Sequence, residues 1–114
     1  MTTIKGVDPK MIANNLKPFL PTHPGEVLKD ELEYRGISQR GLAKKMGISY
    51  SALNEVLNSK RALNTELAMM MEAALGVEAA PLLAMQNEYN IQMAERNDSF
   101  MEKLKNIRRV AAIF

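Results

Sequence analysis

Cysteine is absent from the 114-residue chain, which removes disulfides, thiolate chemistry and cysteine-based zinc sites together and suits a reducing compartment. Histidine is nearly absent too. The one copy, His23, stands directly before "PG", with no carboxylate cluster beside it in sequence, so it fits a helix start better than a metal ligand or a general base. Glycine-rich phosphate loops are missing as well. An enzyme is therefore not expected, and neither is a metal or a cofactor. No apolar run approaches the length of a membrane span, and the first residues lack a signal-peptide core, so the expected location is cytoplasmic, without membrane contact. Strand-like alternation, internal repeats and low-complexity tracts are also lacking. The chain reads as all-α.

Net charge is only +2, too little for a polycation, but its distribution is uneven. Residues 38–61, "SQRGLAKKMGISYSALNEVLNSKR", hold Arg40, Lys44, Lys45, Lys60 and Arg61 against the single acid Glu55. Just before them, Glu26, Asp30, Glu31 and Glu33 outnumber Lys29 and Arg35. A folded domain with one basic face points to nucleic acid more strongly than the total does.

The helices can be placed from their punctuation. Residues 1–21, interrupted by Pro9, Pro18 and Pro21, are expected to be a flexible arm. Pro24 opens a first helix with Val27, Leu28 and Leu32 inward, and Gly36 ends it. Ser38 caps a second helix bearing Leu42, Ala43 and Met46, which Gly47 stops. Ser49 caps a third, with Leu53, Val56 and Leu57 inward and Asn58 and Ser59 at its end. Asn64 caps a fourth, its inner face Leu67, Met70, Met71, Ala74 and Leu75, closed by Gly76. The "MMM" run is read as core filling, because methionine adapts to irregular gaps. After Gly76, Pro81 suits an opening turn, and Leu82, Met85, Gln86, Tyr89 and Met93 share a stripe. "RNDS" breaks that helix. Ser99 or Asp98 is expected to cap a last one, whose Phe100, Leu104, Ile107, Ala111 and Phe114 follow the spacing of a packing seam. Residues 22–76 thus form one expected domain and residues 77–114 an appendage for packing and dimerisation, with Leu82, Tyr89, Phe100, Leu104 and Ile107 at the dimer surface.

The break at Gly47 has a reason. Two short helices joined there must cross steeply, and glycine permits the left-handed turn without a Cβ penalty. Counted from Gln39, the small Ala43 lies at +4, Gly47 at +8, and the anchors Ile48, Leu53 and Val56 at +9, +14 and +17. That is the helix-turn-helix pattern. Tyr50, Ser51, Asn54 and Glu55 then occupy the outer side of the third helix, where hydroxyl, amide and carboxylate can meet base edges. The start of the second helix, with Gln39 and Arg40, and Ser49 at the turn, suit the backbone. Lys60 and Arg61 follow the third helix and suit phosphates. Glu55 is the exception on this face: it repels phosphate and would accept from a cytosine amine or lie along the groove edge.

The "HPGEVL" opening, "LNSKRALN" after the third helix and "LG" before the next resemble the XRE family of helix-turn-helix proteins, and more narrowly the HigA (VapI-like) antitoxins. The resemblance spans residues 22–93. The chain departs from that pattern at Ser59, where glycine is usual, and at Leu82, where the family often has tryptophan; "AMQ" and "YNI" replace the usual "NLQ" and "YDL". The resemblance implies a lambda-repressor-like fold with additional C-terminal helices. It also implies a homodimer that represses its own operon through double-stranded operator DNA, and a RelE-like endoribonuclease toxin as partner. Two alternatives stay open: a standalone regulator of the same fold, and a protein-interaction module with a vestigial helix-turn-helix.

Overall fold

The computed structural model describes residues 21–112, and among them it has no strand and six helices. They are α1 Pro24–Arg35, α2 Gln39–Met46, α3 Tyr50–Leu57, α4 Thr65–Leu75, α5 Ala79–Glu95 and α6 Asp98–Ala111. All but Pro21 of the expected N-terminal arm, and Phe114 at the other end, lie outside the described residues.

The helix starts lie where short polar side chains can accept from exposed backbone N–H groups. Ser38 Oγ accepts from Gly41 N at 2.9 Å, Ser49 Oγ from Ala52 N at 3.0 Å and Asn64 Oδ1 from Leu67 N at 2.8 Å. The last helix is capped by Asn97, not by Ser99 or Asp98: its Oδ1 accepts from Phe100 N at 3.0 Å. Gly47 adopts φ +72° and closes α2, and Ile48 N donates back to Ala43 O at 3.0 Å. This turn separates α3 from α2 and sets Ile48 against the core.

One apolar core joins α1 to α5. Leu28, Leu53 and Met71 are fully buried, with Leu32, Val56, Leu57 and Leu63 at 2% exposure or less. The cluster continues across Gly76 through Leu75, Ala79 and Leu82. Helix α1 packs on α3 and α5, α2 on α3, and α4 on α5, while α6 packs only on α5 in substantial contact and buries no residue fully. Contact between α1 and α3 is very close. A Cβ added at Gly25 would sit 1.9 Å from the Val56 carbonyl oxygen.

Several inward positions differ from the periodic expectation. Val27 is 39% exposed, because α1 turns its Leu28–Leu32 edge to α3 and α5 and leaves Val27 beside it. On α4, Ala74 is exposed while Ala68 is buried completely. The three methionines divide by face: Met71 is buried, Met70 half-buried and Met69 60% exposed. Leu82, expected at a dimer surface, is 3% exposed and completes the core that α4 and α5 share.

Candidate nucleic-acid interface

Helix α3 reaches the surface along one side because its apolar residues Leu53, Val56 and Leu57 occupy the other. Ser49 is committed to capping it, so its hydroxyl already serves the backbone of α3. Beyond it, Tyr50 and Ser51 are exposed in the first turn, and Asn54 follows one turn later.

The structure brings four of the expected residues from α2 and α3 into one cluster. Asn54 Nδ2 donates to Gln39 Oε1 at 2.9 Å and, more distantly, to the Tyr50 hydroxyl at 3.5 Å. The Arg40 guanidinium lies over the Tyr50 ring, 4.2 Å from its centroid, a cation–π contact that holds both planes. The outer side of α3 is thus braced by the start of α2. Fewer rotamers remain to be frozen when such a surface meets a partner.

Glu55 and Arg61 form a second group. Glu55 Oε1 accepts from Arg61 Nε at 2.8 Å and pairs with a terminal nitrogen at 2.6 Å. Both side chains are about half exposed, so the pair contributes less than about 1 kcal/mol to stability. Its consequence is local: the one acid of the basic face is neutralised by a neighbouring cation. Lys60 is exposed beside it.

The link from α3 to α4 carries both Lys60 and Arg61 on a constrained backbone. Lys60 N donates to Glu55 O at 2.8 Å, and Asn58 Nδ2 to Asn54 O at 2.9 Å. Lys29 of α1 reaches across to Asn58 Oδ1 at 3.1 Å. Ser59 is the one non-glycine residue with positive φ among the described residues, at +63°. Its left-handed conformation explains why glycine suits this place.

His23 proves structural. It is 1% exposed and its Nδ1 accepts from Gly25 N at 2.8 Å, capping α1. Its ring meets Tyr89 of α5 edge to face, with centroids 4.8 Å apart and planes at 82°. Tyr89 is therefore half-buried against α1. Burial pushes the His23 pKa below its ordinary value, while a hydrogen bond with the Arg61 backbone and the nearby Glu26 act in the opposite direction. The sequence carries a signal for the cap, a polar residue before "PG", but none for the partners that gather around it.

Two short helices joined by a glycine turn, the second braced and outward-facing, define a helix-turn-helix protein. The helix-turn-helix family matches residues 28–82. Virulence-associated protein I of Dichelobacter nodosus is 36% identical over 76 residues, 66% of this chain and 70% of that protein. An addiction module antidote protein of the HigA family from Coxiella burnetii is similar in structure, with a TM-score of 0.65 at 30% identity over 75% of this chain and 95% of that one. Pseudomonas aeruginosa antitoxin HigA, solved with the higBA promoter, gives 0.63 at 26% identity over 78% and 92%. The chain belongs to the helix-turn-helix family of virulence-associated protein I and the HigA-type antidote proteins, a family of DNA-binding antitoxins and regulators, not of enzymes. Among the described residues, no helix is long and apolar enough to cross a membrane.

Proposed function

We propose that the chain is a sequence-specific repressor that binds operator DNA as a homodimer, and that it is the antitoxin of a toxin–antitoxin pair. The observation that carries the reading is the cluster of Gln39, Arg40, Tyr50 and Asn54, which presents the first turns of α3 on a braced surface. With α3 in the major groove, Ser51 and Asn54 offer hydroxyl and amide groups to base edges, and the Tyr50 ring offers an apolar contact to a thymine methyl. The start of α2 and the link bearing Lys60 and Arg61 then lie against phosphates. A HigA solved with promoter DNA supports this docking by likeness.

The homodimer rests on the symmetry such repressors need and on the apolar face of α6 that stands exposed among the described residues. Phe100 is 41% exposed and Ile107 52%, with Leu104 half-buried between them. Tyr89 borders α1 instead, so α6 is the better dimer surface. Likeness to an addiction module antidote protein supports a toxin partner, for which the HigA resemblance implies a RelE-like endoribonuclease, and the protein encoded beside this chain is the one to test by co-purification.

The decisive experiment is binding to the DNA upstream of the protein's own gene, against a duplex of unrelated sequence. Ser51→Ala and Asn54→Ala are each expected to weaken binding to the upstream site by about 1–3 kcal/mol and to leave unrelated DNA nearly unaffected. Equal losses on both duplexes would remove base reading from these residues. Failure of the wild type to prefer its own upstream DNA would remove the repressor reading.

A further inference from the structure

The two buried polar side chains among the described residues are His23, which caps α1, and Gln86 of α5. Gln86, on α5 and 5% exposed, accepts through Oε1 from Leu63 N at 2.8 Å. Its Nε2 donates to Asn90 Oδ1 at 2.9 Å, which fixes the orientation of the carboxamide. Tyr89, three residues after Gln86, packs against the His23 ring, so the same helix also meets the residue that caps α1.

Burying a carboxamide is unfavourable unless its hydrogen bonds are made, so an apolar side chain at 86 would hold α5 to the core equally well. What it would not do is satisfy Leu63 N–H, which sits on a residue only 2% exposed, where little water can reach. The link is tied at its other end by Lys60 N to Glu55 O and Ser59 N to Val56 O. The backbone on both sides of Lys60 and Arg61 is therefore fixed, one side by α3 and the other by α5.

We propose that Gln86 is a positioning residue for DNA binding: by holding Leu63, it sets the link so that Lys60 and Arg61 meet phosphates without first being ordered. The proposal rests on the reading of this link as DNA-facing. It also makes α5 the mechanical tie between the DNA-facing link and the C-terminal helix. Nothing in the local sequence joins these pieces. The "HPG" start, the "KRAL" link and the "QNEY" of α5 meet only in the fold.

Gln86→Met keeps length and volume but removes the acceptor, whereas Gln86→Glu keeps an oxygen toward Leu63 N. Binding to a fluorescent duplex of mixed sequence would be followed by anisotropy across a salt series, with thermal melts and amide exchange at Leu63. The methionine variant is expected to bind about tenfold more weakly, with the slope of log affinity against log salt shallower by about one unit, the loss of one phosphate contact. Its melt stays cooperative, its Leu63 amide exchanges faster, and the glutamate variant keeps the wild-type slope. A loss of folded protein alone would lower affinity equally at every salt concentration and leave the slope unchanged. A folded methionine variant with the wild-type slope therefore overturns the proposal. Should that variant not fold, Asn90→Ala decides by the same readouts, because it frees the carboxamide without touching the core, and an unchanged slope again overturns it. The Lys60→Ala, Arg61→Ala double variant separates the two levels. If it too keeps the wild-type slope, the link does not touch DNA and the reading beneath the proposal fails; if its slope falls while that of Gln86→Met does not, only the positioning role fails.

Discussion

Ser59 holds a left-handed backbone at φ +63° that a Cβ disfavours, by roughly 1–2 kcal/mol where nothing compensates. Glycine would relieve that conflict at the cost of a more flexible unfolded chain, so Ser59→Gly is expected to stabilise the fold by about 0.5–1 kcal/mol. A urea titration with an unchanged slope and a higher midpoint would register it; a lower midpoint would mean that the serine hydroxyl makes up for the strain. His23 offers a second test at this scale. Its Nδ1 must be unprotonated to accept from Gly25 N, and burial lowers its pKa in the folded state. A lowered folded pKa means that the unfolded chain binds the proton more readily. The stabilisation is therefore fully present above the ordinary value of 6.5 and is lost as pH falls through the folded value. Melting temperature should drop as the solution is acidified below that value. Because the chain has one histidine, His23→Asn, which retains a capping oxygen, should flatten the dependence in this window. A variant whose pH profile matches the wild type would assign the dependence to carboxylates instead.

Between α1 and α3 the two backbones approach closely enough that Gly25 has no room for a methyl group. An added Cβ would lie 1.9 Å from the Val56 carbonyl oxygen and 2.9 Å from His23 Nδ1, both of them fixed by their own hydrogen bonds or packing. Gly25→Ala should therefore push α1 off α3 and disturb the histidine cap, destabilising the fold by about 3 kcal/mol, at the upper end of what overpacking costs. Denaturant unfolding would measure it, and a loss below about 1 kcal/mol would show that the helices slide apart easily. The same contact shows which elements could be read from sequence. Starts and stops of α1 to α4 were legible because caps are local: Ser38, Ser49 and Asn64 each bond a backbone N–H three residues on, and Gly36, Gly47 and Gly76 turn left-handed where they stand. Faces were less legible. Val27 and Ala74 satisfy the period of 3.6 residues but look outward, since the inward direction is chosen by the helices packed alongside. The site shows the same division. That Tyr50, Ser51 and Asn54 share the outer side of α3 followed from spacing, whereas the brace from Gln39 and Arg40 and the tie from Gln86 to Leu63 join residues far apart along the chain.

At the scale of the molecule, the described residues make a closed core and one open helix. Leu28 to Leu82 bury one another completely or nearly so, but α6 contributes no buried residue and keeps Phe100, Ile107 and Val110 at 41%, 52% and 56% exposure. Of its charged residues, Glu102, Lys105 and Arg109 fall on the side of the helix opposite Phe100, Leu104 and Ile107, while Lys103 and Arg108 flank that stripe. A single α3 spans only a few base pairs, and repressors of this architecture gain affinity and specificity from two copies placed about one turn of DNA apart, or a multiple of it. If α6 joins those copies, a charge in the stripe should break the dimer without unfolding the chain, because no core contact depends on it. Ile107→Glu is the variant of choice: its side chain is half exposed, and the core cluster does not include it. Sedimentation should show a dimer for the wild type at micromolar concentration and a monomer for the variant, with similar helicity and melting temperature. On operator DNA the variant should bind one half-site at a time, so that the affinity for a two-site duplex falls toward that for a single half-site. A variant that remains dimeric would move the interface off α6, and a wild type that stays monomeric both free and on DNA would remove the homodimer altogether.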